Sequence, residues 1–291
     1  MNSLYIGLAL TALVLVGLVF WFLRRFGVIG GGGGGGGGSG KLPPPGPHVA
    51  GFLETDKPWI SSHILFAKQN AGREQAILDS AVANGWTAMY IMAALDKDYG
   101  GRAVRYSHDQ RDHWRKWLTE IRKRGIRVVL WLRSDDSPDL NRWSERQFED
   151  FTKLVHADLG DLVTEYVTAL EVDEYWDQGR ANRANAMVKR VTGKRVGCHI
   201  TPRLDRLGWC KGADVAYIQP GFDRSPAEVA AYCREAANQW SGPIVCAEYD
   251  LKSGSAAARA KGDAAAGAHS RIIGLGTGAG DDGRRLIADR T

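Results

Sequence analysis

The chain has 291 residues, of which 38 are basic and 33 acidic, and a formal charge of +5. That length allows one large domain or two small ones. The first 46 residues hold Arg24, Arg25 and Lys41 and no acid, so the remainder carries 35 basic against 33 acidic residues; so even a balance is no electrostatic footprint for nucleic acid.

Leu4 to Leu23 is an uncharged run of twenty residues ending in Phe20-Trp21-Phe22-Leu23, and Arg24-Arg25 follow it. Such a run is long enough to cross a bilayer core, and aromatic and basic residues at its end suit the interface. A cleaved signal peptide would place its basic residues first and end on small residues. The expectation is therefore an uncleaved single-pass anchor over residues 1–26 with the lipid bilayer as partner through residues 4–23. The two arginines favour a cytoplasmic C-terminal side, a weak orientation signal that leaves the side of the membrane open. Residues 27–47 contain unbroken glycine from Gly30 to Gly38 and then Pro43-Pro44-Pro45-Gly46-Pro47, a flexible coil followed by a stiffer spacer.

From His48 onward, short apolar runs alternate with amphipathic stretches. The runs Val49–Glu54, Thr87–Ala94, Arg127–Arg133, Val167–Asp173, Arg195–Thr201, Val215–Pro220, Ile244–Tyr249 and Ile272–Gly276 read as eight strands. Helices are expected over Arg73–Asn84, Ser107–Arg124, Ser144–Val163, Arg180–Val191, Pro226–Trp240 and Ala256–Ala268, with short pieces near Asp205 and over Asp281–Asp289. Trp114, Trp117, Leu118 and Ile121 recur at helical spacing on one face. Ser225-Pro226 with Glu228 is the signature of a helix start, and Gly125 and Gly193 stand where helix ends use glycine. Eight strands alternating with helices fit a single (β/α)8 TIM barrel over residues 48–291. A dinucleotide-binding open sheet would carry a glycine fingerprint after its first strand, and Gly51-Phe-Leu-Glu supplies none.

Cys198, Cys210, Cys233 and Cys246 form no C-x-x-C pair, and two of them lie in strand-like runs, so they read as buried free thiols. His108 and His113 are five apart and do not share a helix face, so no metal site is expected.

In such barrels the chemistry sits at the C-terminal ends of the strands. Those ends read Glu54 and Asp56, Asp96, then Arg133, Asp135 and Asp136, then Glu171, Asp173 and Glu174, then His199, Thr201 and Arg203, then Gln219 and Phe222, and finally Glu248, Tyr249 and Asp250. The rim is acidic and aromatic, which suits a carbohydrate.

Leu170-Glu-Val-Asp-Glu174-Tyr on the fourth strand and Pro243-Ile-Val-Cys-Ala-Glu248-Tyr on the seventh resemble the motifs of the retaining (β/α)8 glycoside hydrolase clan. Asp173 stands where that clan usually has asparagine, and Gly-Leu-Gly-Thr-Gly replaces the tryptophan often found after strand eight. The resemblance implies a glycoside hydrolase without cofactor, and the anchor expected over residues 1–26 makes the expectation a membrane-tethered enzyme acting on a polysaccharide of the cell envelope. It gives Glu174 the role of acid/base and Glu248 that of nucleophile. Retaining hydrolysis needs two carboxyl groups about 5–5.5 Å apart. Parity along a strand puts Glu171 and Glu174 on opposite faces, so a register shift would give the site Glu171 and Asp173 instead, as in barrel-type lysozymes. Glu54, Arg133, Asp135, Trp176, His199, Tyr217, Gln219 and Tyr249 are the expected substrate contacts. Competing readings are a non-catalytic glycan-binding barrel and an enzyme of phosphorylated metabolites using Gly274–Gly280.

Overall fold

A computed structural model describes residues 74–83, 87–95, 104–133, 142–250 and 256–276. The expected anchor, the linker and the strand Val49–Glu54 lie outside these residues, as do Glu54, Asp56, Asp96, Asp135 and Asp136. Among the described residues no helix is long and apolar enough to cross a membrane.

Seven strands form one parallel sheet: β1 (Ala88–Met92), β4 (Arg127–Trp131), β5 (Glu165–Val167), β6 (Arg195–His199), β7 (Val215–Ile218), β8 (Ile244–Cys246) and β9 (Ile272–Leu275). They are hydrogen-bonded in chain order, from β1 to β9. A two-stranded antiparallel ribbon, β2 (Ala94–Leu95) and β3 (Val104–Arg105), interrupts the first connection. The helices are α1 (Glu74–Ala83), α2 (Arg111–Lys123), α3 (Glu145–Leu159), α4 (Val172–Tyr175), α5 (Gln178–Thr192), α6 (Pro226–Gln239) and α7 (Ala256–Ala266).

Ring contacts show that the sheet is curled. Tyr90 on β1 and Tyr217 on β7 are separated in the sheet by three strands. In a flat sheet, four spacings would hold them about 19 Å apart. Their ring centroids are 5.8 Å apart, and Trp131 on β4 meets Tyr217 at 5.7 Å. The two faces of the strands therefore pack in different places. Tyr90, Val129, Trp131, Val167, Tyr217 and Val245 belong to an inner cluster, whereas Leu130, Tyr166, Cys198 and Ile218 join the helices in an outer one. Alternation along each strand produces this division.

Gly197 on β6 makes room inside. A Cβ there would lie 2.7 Å from Cδ2 of Tyr217 and 3.1 Å from Val167 Cγ2. Only a residue without a side chain lets the tyrosine ring lie across this strand.

The helix signals in the sequence are realised. Trp114, Trp117, Leu118 and Ile121 are the buried face of α2. Ser225 and Glu228 form a reciprocal capping box before α6, with Pro226 in its first turn, and Ser144 with Gln147 does the same for α3. Gly193 ends α5 in the left-handed region at φ 59°. All four cysteines are buried and free.

The fourth strand differs from its expected span. Val167–Asp173 is not a strand: the sheet holds Glu165–Val167, and the chain leaves it at Thr168. The apolar run Val167-Thr-Ala-Leu170 suggested a continuing strand, but Glu171 turns the chain into α4. Val172 and Trp176, at the two ends of that short helix, then enter the outer cluster.

Candidate active site at the C-terminal ends of the strands

The segment between β5 and α4 is stitched to both neighbouring strands. The Thr168 amide donates to the carbonyl of Gly197 at 3.0 Å, and the Leu170 amide donates to that of Arg133 at 3.1 Å. Glu171 follows with φ 44° and ψ 50°, the only non-glycine residue with positive φ among the described ones. For a glutamate this backbone costs on the order of 1–3 kcal/mol, and such strain persists only where the surroundings over-determine it. Here they do: the Glu171 amide donates to Nδ1 of His199 at 3.0 Å, and its carbonyl accepts from the Glu174 amide at 3.0 Å.

The Glu171 side chain is directed inward, 8% exposed, and its Oε1 accepts from the amide of Gln219. Gln219 directly follows β7. Glu248 is 2% exposed, two residues past β8, the next strand in the sheet. The Ala247 amide donates to the carbonyl of Ile218 at 2.7 Å, which holds the segments carrying Gln219 and Glu248 side by side. Burying two acids here carries the cost of desolvating charge.

His199 ends β6 with its ring fully buried and 5.2 Å from the Trp131 ring. Burial without a compensating acid lowers its pKa to about 3, so the ring is neutral. Nδ1 accepts from Glu171, and the proton therefore sits on Nε2.

The remaining candidates divide. Glu174 lies exposed on α4. Asp173 is taken up by a clamp: one oxygen accepts from the Thr201 amide at 2.8 Å and the other from the Thr201 hydroxyl at 2.5 Å. That ties α4 to the end of β6. Arg133 is buried after β4 with its guanidinium 4.3 Å from the Trp176 ring, and Arg180 covers the same ring at 4.6 Å. Trp176 is thus a packing residue of the helix layer, with Phe148 against it. Tyr249 also faces that layer, where its hydroxyl would lie 2.8 Å from a Cβ built on Gly262 of α7.

Tyr217 points away from the strand ends, since its hydroxyl donates to Oε1 of Glu165 at 2.6 Å. Arg195 Nε stands 3.3 Å from the other oxygen. Glu165 is fully buried, and desolvation raises its pKa to about 7 despite the arginine and the tyrosine. This buried polar floor was not anticipated; alternation back from Val167 and His199 is the signal that marks Glu165 and Arg195 as inward-facing. Lys261 was also missed. Its ammonium lies 2.9 Å from Asp250 and donates to the carbonyls of Phe222 at 2.6 Å and Tyr249 at 3.3 Å, so α7 pins the segment that carries Glu248.

No protein-family model matches the chain, and no curated protein matches it. Solved structures do. An apo β-glucosidase designated 1317 superposes with a TM-score of 0.53 at 16% identity, over 72% of this chain and 77% of that one. The family 1 β-glucosidase of Thermotoga maritima gives 0.52 at 11% identity over the same shares, 72% and 77%. A β-glycosidase named BGL167 gives 0.53 at 13%, over 80% of this chain and 86% of its own. At these identities the likeness is one of fold alone.

Proposed function

We propose that the chain is a glycosidase acting by a retaining mechanism, with Glu171 and Glu248 as its reacting carboxyl groups. The observation that carries this reading is the strained, doubly held backbone of Glu171, which keeps a buried carboxyl at the strand ends on which Glu248 is also buried. Glu174, the acid/base expected from the motif, is replaced in this reading by the residue three positions earlier, because its side chain is exposed.

In the first step Glu248 attacks the anomeric carbon while Glu171 gives its proton to the departing glycosidic oxygen. The carbon–oxygen bond breaks and a glycosyl ester of Glu248 forms. In the second step Glu171, now ionised, takes a proton from a water that attacks the same carbon, and the ester bond breaks to restore both carboxyl groups. The Gln219 amide fixes the rotamer of Glu171 through both steps.

The substrate class in this proposal is a polysaccharide of the cell envelope. Its supports are the acid-rich rim read from the sequence and the segment Leu4–Leu23, which would anchor the barrel close to such a polymer through the 27–47 linker. Protease protection in intact and permeabilised cells decides the side of the membrane on which the barrel lies.

The test is turnover of aryl glycosides and envelope glycans by the full-length chain and three variants. Glu171→Gln and Glu248→Gln should each lower kcat by about 10²–10⁴-fold, the usual contribution of a proton-transfer group or more, and Glu174→Gln should stay within about three-fold. Full turnover by Glu171→Gln, or loss confined to Glu174→Gln, would sink the assignment.

A further inference from the structure

We infer that His199 is the positioning residue for Glu171: its Nδ1 lone pair holds the Glu171 backbone in the left-handed conformation that carries the carboxyl onto Gln219. The inference rests on the reading of Glu171 as the acid/base, and its content is how that group is held.

Three observations converge on the imidazole. The bond from the Glu171 amide to Nδ1 is 3.0 Å and buried. The ring has no exposed surface and is backed by Trp131 at 5.2 Å. Nε2 has no hydrogen-bond partner among the described residues, so no second hydrogen bond sets the ring orientation within them. An imidazole forced to remain neutral keeps a lone pair for an amide donor; an imidazolium would have none. Burial lowers the His199 pKa to about 3, which keeps that lone pair available above that pH.

The consequence for Glu171 is conformational. A non-glycine residue leaves the left-handed region unless something holds it. Without an acceptor at Nδ1 the buried Glu171 amide loses its partner, a state that buried N–H groups avoid. Relaxation of φ to negative values would swing the side chain off Gln219. The clamp of Asp173 by Thr201, two residues further along both segments, fixes α4 but does not touch Glu171 itself. His199 is thus the group whose loss would release the carboxyl while leaving the fold in place.

The substitution His199→Asn puts an amide oxygen close to the position of Nδ1, His199→Gln carries it on to the position of Nε2, and His199→Leu removes it. The first readout is the carboxyl carbon resonance of Glu171 in full-length protein labelled at glutamate Cδ, assigned by its disappearance in Glu171→Gln. That signal should keep its wild-type position and titration in His199→Asn and move in both His199→Gln and His199→Leu. The second readout is turnover, where His199→Asn should keep kcat within about five-fold. His199→Gln and His199→Leu should lower kcat by about 10²-fold with KM little changed, the pattern of an interaction felt in the transition state. An unmoved Glu171 signal in His199→Gln overturns the inference, as does an equal loss in His199→Asn and His199→Gln. The carboxyl signal needs no turnover, so it decides the positioning claim even if Glu171→Gln proves active and the catalytic reading falls. His199→Gln keeps the volume and polarity of the site, so a failure of His199→Leu to fold leaves the comparison intact.

Discussion

The phenol of Tyr217 donates to Glu165 at 2.6 Å across the interior of the curled sheet, with Arg195 3.3 Å from the same carboxyl. The carboxyl is fully buried and its pKa is raised from 4.5 to about 7, chiefly by desolvation. His199, at the strand ends, is shifted the other way, from 6.5 to about 3, again by desolvation. The two groups set opposite pH dependences on folding.

For Glu165 the folded state keeps a proton that the unfolded chain gives up. Its contribution is complete below pH 4.5 and is lost as pH rises to about 7, a change on the order of 3 kcal/mol. For His199 the unfolded chain takes up a proton that the folded state refuses. That contribution is complete above pH 6.5 and is lost as pH falls toward 3. Between pH 4.5 and 6.5 the two slopes cancel. Urea unfolding at a series of pH values should show Glu165→Gln gaining stability up to pH 6.5, where the wild type is already level from pH 4.5, and His199→Asn losing stability from pH 4.5 to about 7 without the wild-type decline below pH 4.5. A Glu165→Gln curve parallel to wild type through pH 4.5–7 would refute the assignment of that branch to Glu165.

The close approach of Tyr217 to Gly197 makes a second prediction. A methyl group on Gly197 would stand 2.7 Å from the tyrosine Cδ2 and 3.1 Å from Val167, and neither neighbour is a flexible chain end. Gly197→Ala should destabilise by about 1–3 kcal/mol, the usual cost of overpacking a tight interior. The double variant Gly197→Ala/Tyr217→Leu should recover part of that loss, because the colliding ring is gone. Chemical denaturation of the four proteins gives the coupling, and an additive cycle would mean that the ring is not what the methyl meets.

Much of this architecture could be read before any coordinates, because strands buried on both faces leave continuous apolar runs such as Val128–Trp131, and capped helices leave Ser225-Pro226. The fourth strand could not. Its apolar run continues through Leu170, so composition alone extends the strand, whereas the chain turns at Glu171 under the hold of a histidine 28 residues away. That is a tertiary effect without a local signature, and it moves the buried glutamate by three positions. Arg133, His199, Gln219 and Glu248 were correctly placed at strand ends by periodicity. Tyr217, Trp176 and Tyr249 are expected at the substrate from their places near the rim. In the structure the hydroxyl of Tyr217 reaches the buried Glu165, and Trp176 and Tyr249 pack into the helix layer.

The clamp between Asp173 and Thr201 separates a structural acid from its two glutamate neighbours. Both Asp173 oxygens accept from Thr201. Asp173→Asn keeps an acceptor for the amide and lets the hydroxyl reverse its bond, so it should cost under about 1 kcal/mol. Asp173→Ala strands both donors and should cost about 1–3 kcal/mol. Neither should reduce kcat as Glu171→Gln does. Thermal unfolding with turnover on the same samples checks both, and a kcat loss in Asp173→Asn without a stability change would restore this residue to the reacting groups.

Lys261 pins α7 to the end of the sheet at which Glu248 is buried. Its ammonium meets Asp250 at 2.9 Å with both side chains nearly buried, and it also closes on the carbonyls of Phe222 and Tyr249. These contacts fasten α7 to the segment that follows β8, two residues beyond Glu248. Lys261→Met keeps the length of the chain and removes the charge and three donors. Breaking one side of a buried pair costs about 3–5 kcal/mol, and the remaining exposure of both groups reduces the expectation to about 2–3 kcal/mol. Because the pinned segment carries the proposed nucleophile, the loss should appear in turnover as well as in stability. Lys261→Arg, which keeps the charge but cannot place one compact ammonium among three acceptors, should recover part of the stability and less of the activity. Equal recovery of both would show that the pin acts on folding alone and leaves the position of Glu248 untouched.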